Sequence, residues 1–200
     1  MTSTSDEPSP AEQAAAIERL QAVGEPWIMP LLKHTVSLLD SGSDDGCDQA
    51  ARIISDLLTL QVLDESDFAY GEFPMRPGRP PGDLNAALFL LPGLLDILER
   101  HGARLPAGLV QRLDGGVRLA VVAAQRRWDE ETFDIHRDYK GYTNIFLLYI
   151  QALLLTGLHY HDARLLRVAD GQWKRWFNHV TYYGIDEFVS TTYHDVDYGA

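Results

Sequence analysis

The chain has 200 residues, 46% of them apolar and 23% charged, which is the composition of a globular protein and excludes a disordered or collagen-like one. Its 17 Lys and Arg against 29 Asp and Glu give a net charge of −12. That balance argues against a nucleic-acid binder that neutralises phosphates and against a polybasic membrane-surface protein.

Residues 1–8 read as a disordered tail, and 9–200 as one all-α domain. From 10 to 23, Ala14, Ala15, Ile17, Leu20 and Val23 recur at helical spacing until Gly24. Pro26 opens a second helix over 27–39, expected to break or kink at Pro30. A Gly- and Ser-rich loop over 41–46 precedes a third helix at 48–60. Residues 63–82 carry Gly71, Pro74, Pro77, Gly78, Pro80, Pro81 and Gly82, so they read as a long irregular loop of the kind that often holds function.

Helical patterning returns at 84–101, stops at Gly102 and resumes from Pro106 to about residue 128. A loop over 129–141, helices at 142–158 and 161–182, and a helix start near Asp195 complete the reading. No stretch shows sustained period-two alternation. The lone cysteine, Cys47, excludes an internal disulfide framework and reads as an idle or buried thiol. The polar, acidic start lacks the pattern of a signal peptide, and no apolar run reaches the roughly 20 residues of a membrane span, so a cytoplasmic location is expected.

Helix pairs repeat. Asn85-Ala-Ala-Leu-Phe-Leu-Leu aligns with Asn144-Ile-Phe-Leu-Leu-Tyr-Ile, 59 residues later, and Leu113-Asp-Gly-Gly-Val with Ala169-Asp-Gly-Gln-Trp, 56 residues later. The first helix of each pair is apolar nearly all round and should be buried; the second carries Arg112, Arg118, Arg126 and Arg127, or Arg164, Arg167, Lys174 and Arg175, and should face water. An inner ring of buried helices inside an outer ring of half-exposed ones describes an (α/α) toroid or a curved α-solenoid. About three hairpins fit this length. In a toroid the N-terminal ends of the inner helices gather at one rim.

Four segments carry a family likeness: Tyr70-Gly-Glu-Phe with Gly82-Asp-Leu-Asn85, Tyr142-Thr-Asn-Ile, Tyr183-Gly-Ile-Asp-Glu187, and Ser190-Thr-Thr-Tyr193. Together, over roughly 63–200, they resemble the six-hairpin (α/α) toroid superfamily of heparinase- and alginate-lyase-like enzymes and glycoside hydrolases, and within it uncharacterised bacterial members. Thr191 departs from that pattern, which has Pro. The resemblance implies an oligosaccharide partner, with Asp83, Asn85, Asn144 and Ser190 as substrate-binding residues and Tyr142, Glu187, Tyr193 and His194 as catalytic candidates.

Lyase chemistry needs a group that neutralises a uronate carboxylate, here Asn144 or protonated His136. It also needs a base to remove the C5 proton, here Tyr142, Tyr193 or His194. Glycoside hydrolysis instead needs two carboxylates, from Glu187, Asp195, Asp197 or Asp83. For Asn85 and Asn144 an N-cap role competes with ligand contact, because Asn satisfies an orphan backbone N–H. The stripe Trp173, Trp176 and Phe177 reads as helix-packing core rather than a sugar platform. His159, His161 and His194-Asp-Val-Asp197 lack the spacing of a metal site, so neither a metal nor another cofactor is expected.

The acidic stretch 40–72 opposes nine carboxylates to Arg52 alone and would repel a polyanion unless Arg76 and Arg79 offset it locally. A non-catalytic α-solenoid that binds a peptide or protein remains the alternative. Six pairs at the observed spacing would need roughly 350 residues. The chain is therefore expected to be part of a longer toroid enzyme, without activity of its own, or to complete itself as a homodimer.

Overall fold

A computed structural model describes residues 8–82, 84–128 and 143–183, the last with backbone only at 143, 144, 179, 180, 182 and 183. The described residues are helical and contain no strand. They comprise α1 (Pro10–Ala22), α2 (Ile28–Asp40), α3 (Asp44–Thr59), α4 (Ala86–Asp96), α5 (Ala107–Arg127), α6 (Thr143–His159) and α7 (Ala163–Tyr183). No helix among them is long and apolar enough to cross a membrane. The chain divides into two compact units, Met1–Ala123 and Ala124–Ala200.

Helix starts follow local chemistry. Ser9 and Glu12 form a reciprocal capping box at α1, with Pro10 in the first turn. The predicted break at Pro30 does not occur: α2 runs unbroken from Ile28, because Pro30 lies in the first turn, where its missing N–H has no intrahelical partner to lose. α3 begins at Asp44 rather than 48. Ser43 Oγ accepts from Gly46 N at 3.1 Å, and Asp44 and Asp45 in the first turn complement the helix dipole. α4 continues through Pro92, then passes into a π turn at Ile97–His101 and a 3-10 turn at Gly102–Arg104. Pro106 then precedes α5, as its first-turn preference predicts.

In the first unit α2 packs on α3 and on α4, and α1 packs on α3. α5 lies against α3, where Arg112 Nη1 donates to Ser55 Oγ at 3.1 Å. The first helices of the pairs thus neighbour one another in one layer, and α1, α3 and α5 form a second. α4 is the most deeply embedded: Ala86, Ala87, Leu88, Leu90, Leu91, Leu94 and Leu95 are all buried. Each buried leucine there contributes about 1.5–3 kcal/mol relative to exposure. Arg112 and Arg118 face water, as the patterning predicts.

The second unit contains the hairpin α6/α7. Trp128 stacks on Tyr149 at 5.9 Å between centroids and meets Phe146 edge-on at 5.5 Å, which anchors the core of this unit. Arg126, Arg127, Arg164, Arg167, Lys174 and Arg175 are exposed, again as expected. Two expectations for this unit fail. Trp173 and Phe177 are exposed rather than core, and Leu154 and Leu158 leave α6 with an apolar face open. α7 turns its buried side through Leu165, Ala169 and Gln172, and Trp173 and Phe177 stand on the flank of that stripe.

Candidate functional site

Residues 60–82 lead from α3 towards α4 and are held by a succession of backbone and side-chain hydrogen bonds. The segment first folds back on itself: Val62 N donates to Glu72 O at 2.9 Å and Gly71 N to Val62 O at 2.8 Å. Between these bonds Asp64 Oδ1 accepts from Ser66 N at 2.9 Å, and Asp67 Oδ1 accepts from Ala69 N at 2.8 Å, so two Asx turns shape the loop. The bonds from Ser66 hold the Asp64 carboxyl below its ordinary value. Gln61, buried, ties the loop to α5 by donating to Gly71 O and Gly116 O.

The chain then serves two helix N-termini in succession. Glu72 is 2% exposed, and its Oε2 accepts from Ala87 N at 2.9 Å at the start of α4. Met75 O accepts from Ile28 N at 3.1 Å at the start of α2. A carboxylate oxygen at a helix N-terminus satisfies an orphan donor and complements the positive end of the dipole. Segment 72–76 therefore fixes the adjacent starts of α2 and α4.

Beyond it, Arg76 lies over the ring of Trp27, the residue preceding α2, with 3.6 Å from guanidinium carbon to ring centroid. Gln21 Nε2 donates to Pro77 O at 3.3 Å and holds α1 to the same strand of chain. A cleft of about 290 Å³ opens here, bordered by Gln21, Glu25, Arg76, Pro77 and Arg79. Arg79 also borders a second cleft of about 430 Å³, whose walls include Ile17, Leu60, Val62 and Pro74 and whose polar groups include Asp64 and Asp67. Arg76 and Arg79 make no ion pair among the described residues. Stacking on Trp27 occupies a face of the Arg76 guanidinium and leaves its in-plane N–H fork available to an oxyanion.

Of the residues singled out by sequence, Asn85 stands at the N-cap of α4, but its side chain makes no capping hydrogen bond. Glu72, from the preceding loop, serves Ala87 N instead. Asn144 lies in the first turn of α6, in the second unit, with its side chain outside the described residues. Asp83, Tyr142, Glu187, Ser190, Tyr193 and His194 all lie outside the described residues, as do His136, Asp195 and Asp197.

In the sequence Glu72 stands only as part of Tyr70-Gly-Glu-Phe, with no pattern that marks a role for it. The pairing of Arg76 with Trp27 spans 49 positions and no local pattern announces it. Among the described residues no group of three His, Cys, Asp or Glu is placed to hold a metal ion. Cys47 is half-buried and its thiol donates to Arg104 O at 3.3 Å. Comparison with protein-family models, with curated proteins and with solved structures returned no match.

Proposed function

We propose that this helical-hairpin protein binds an acidic saccharide, with its uronate carboxylate held between Arg76 and Arg79. The observation that carries the reading is the convergence of these two arginines on one cleft, beside Trp27, at the start of a first-layer helix. Trp27, 39% exposed beneath Arg76, adds apolar surface beside the cleft against which a pyranose ring packs. In a chain of net charge −12, a cleft that sets Arg76 and Arg79 against Glu25 is a local reversal of sign that favours an anion. The likeness of the 63–200 motifs to toroid lyases and hydrolases supports the same substrate class, and under that likeness a lyase or hydrolase activity would draw on Tyr142, Glu187, Tyr193 and His194.

Calorimetric titration with uronate oligomers, and with neutral oligomers of equal length as controls, tests the proposal. The expected result is binding of the acidic series only, weakened about tenfold or more by Arg76→Ala and by Arg79→Ala, as for loss of a charge-assisted hydrogen bond. Absence of binding across the uronate series, or affinity unmoved by both substitutions, would overturn it. Incubation with uronate polymers, followed by absorbance of the unsaturated product, separates catalysis from binding.

A further inference from the structure

Phe68 is 77% exposed, more than any other large apolar side chain among the described residues. It stands at the tip of the 62–72 loop, which the Val62–Glu72 and Gly71–Val62 bonds close and the two Asx turns shape. An aromatic ring held out on a fixed frame loses little freedom on docking. Asp64 and Glu65, near it in sequence, are exposed and Asp67 is half-buried, so the ring is presented on an acidic loop. Its complement is an apolar pocket with a basic rim.

The same unit carries such a pocket elsewhere. Between α1, α2 and α3 a cleft of about 290 Å³ is lined by Leu20, Val23 and Ile53 together with Arg19, His34, Gln49, Arg52 and Asp56. A cavity of about 150 Å³ already accepts a benzene ring, so the volume suffices for a phenylalanine side chain. Arg19 is committed to Asp56 through two bonds of 2.9 and 2.6 Å. Arg52 is exposed and makes no ion pair among the described residues, which leaves it for an incoming carboxylate.

We infer that the occupant of this pocket is Phe68 of a second copy of the chain, in a two-fold dimer. Each protomer inserts its acidic loop into the Arg52-rimmed pocket of the other. An isologous interface pairs unlike patches reciprocally, each protomer supplying both, and aromatic and arginine side chains are the residue types that dominate interface energetics. The Arg52 pocket shares no lining residue with the Arg76 and Arg79 cleft of about 290 Å³, and different substitutions test the two proposals.

Sedimentation velocity over roughly 1–100 µM in buffer near physiological salt tests the dimer. The intact protein is expected to dimerise, and Phe68→Ala and Arg52→Glu each to weaken the dimer about tenfold or more, with an unchanged circular-dichroism spectrum because both side chains are exposed in the protomer. A mixture of the two variants keeps one intact contact, the Phe68 of one protomer against the Arg52 pocket of the other, and should associate more strongly than either variant alone. A monomer throughout the range, a dimer insensitive to both substitutions, or a mixture no more associated than its components would each overturn the inference.

Discussion

At the scale of single residues, Gly71 shows how little room the connecting segment has. Its φ is +86°, a conformation that L side chains rarely adopt, and a Cβ there would sit 2.5 Å from Leu119 O and 3.0 Å from Ala123 Cβ on α5. Left-handed strain and overpacking act together, and neither can relax because the obstacle is helix backbone. Gly71→Ala should therefore cost about 3 kcal/mol, read from the urea midpoint. Glu72, the next residue, illustrates what sequence hides. Asn85 is the residue type and position that predicts an N-cap, and it takes that position, yet the side chain that accepts from Ala87 N is a glutamate 15 residues upstream. Capping was legible as a need of the helix. Which side chain meets it depends on where the loop returns.

Among the elements, a leucine reaching into a glycine notch recurs at the helix contacts. Leu32 of α2 meets Gly93 of α4, Leu58 of α3 meets Gly116 of α5, and Leu166 of α7 meets Gly157 of α6; a Cβ on each glycine would come within 2.5–2.8 Å of its leucine. Removing that Cβ lets the helices approach, and the leucine fills the space at interior packing density. The internal repeat places Gln172 where α5 has Gly116, and both positions are buried. At Gln172 the consequence is different: it is 0% exposed, and neither amide atom has a hydrogen-bond partner among the described residues.

A buried amide without partners forgoes its solvation, while an apolar side chain of similar size does not. Gln172→Leu should raise stability by about 1–2 kcal/mol, seen as a higher thermal midpoint. An unchanged or lower midpoint would mean that this amide is satisfied in solution. Helix boundaries, by contrast, were legible to within a few residues, because glycines, prolines and Ser or Asp caps mark them locally. Sequence signals mislead at Pro30 and at the start of α3, where a proline or an Asp-Asp-Gly run suggests a break although a first turn tolerates each.

For the whole molecule, two protomers of charge −12 repel at long range while the proposed loop and pocket attract at contact. The Debye length is about 30 Å at 0.01 M salt and about 10 Å at 0.1 M. Modest salt should screen the global repulsion first, and high salt should then erode the local Arg52 attraction. The dimer is therefore expected to be tightest at intermediate ionic strength, with weaker association at both extremes in sedimentation velocity. A dissociation constant that rises steadily from the lowest salt would show that net charge plays no part.

Composition and periodicity alone determined that the described chain is all-α, that its helices come in pairs, and which faces carry the arginines, because burial and helix signals are set by residues three or four positions apart. The depth of α4, read as apolar nearly all round, also followed from its own sequence. Tertiary structure decided what gathers at each place: Glu72 at Ala87, Arg76 on Trp27, Arg79 between two clefts, and Phe68 standing in water. These meetings depend on the path of the 60–82 connection, whose course is fixed by Gly71 against α5 and by bonds to residues far away in the chain. Periodicity carries no information about such a path, since the forces that choose it act across space rather than along the helix.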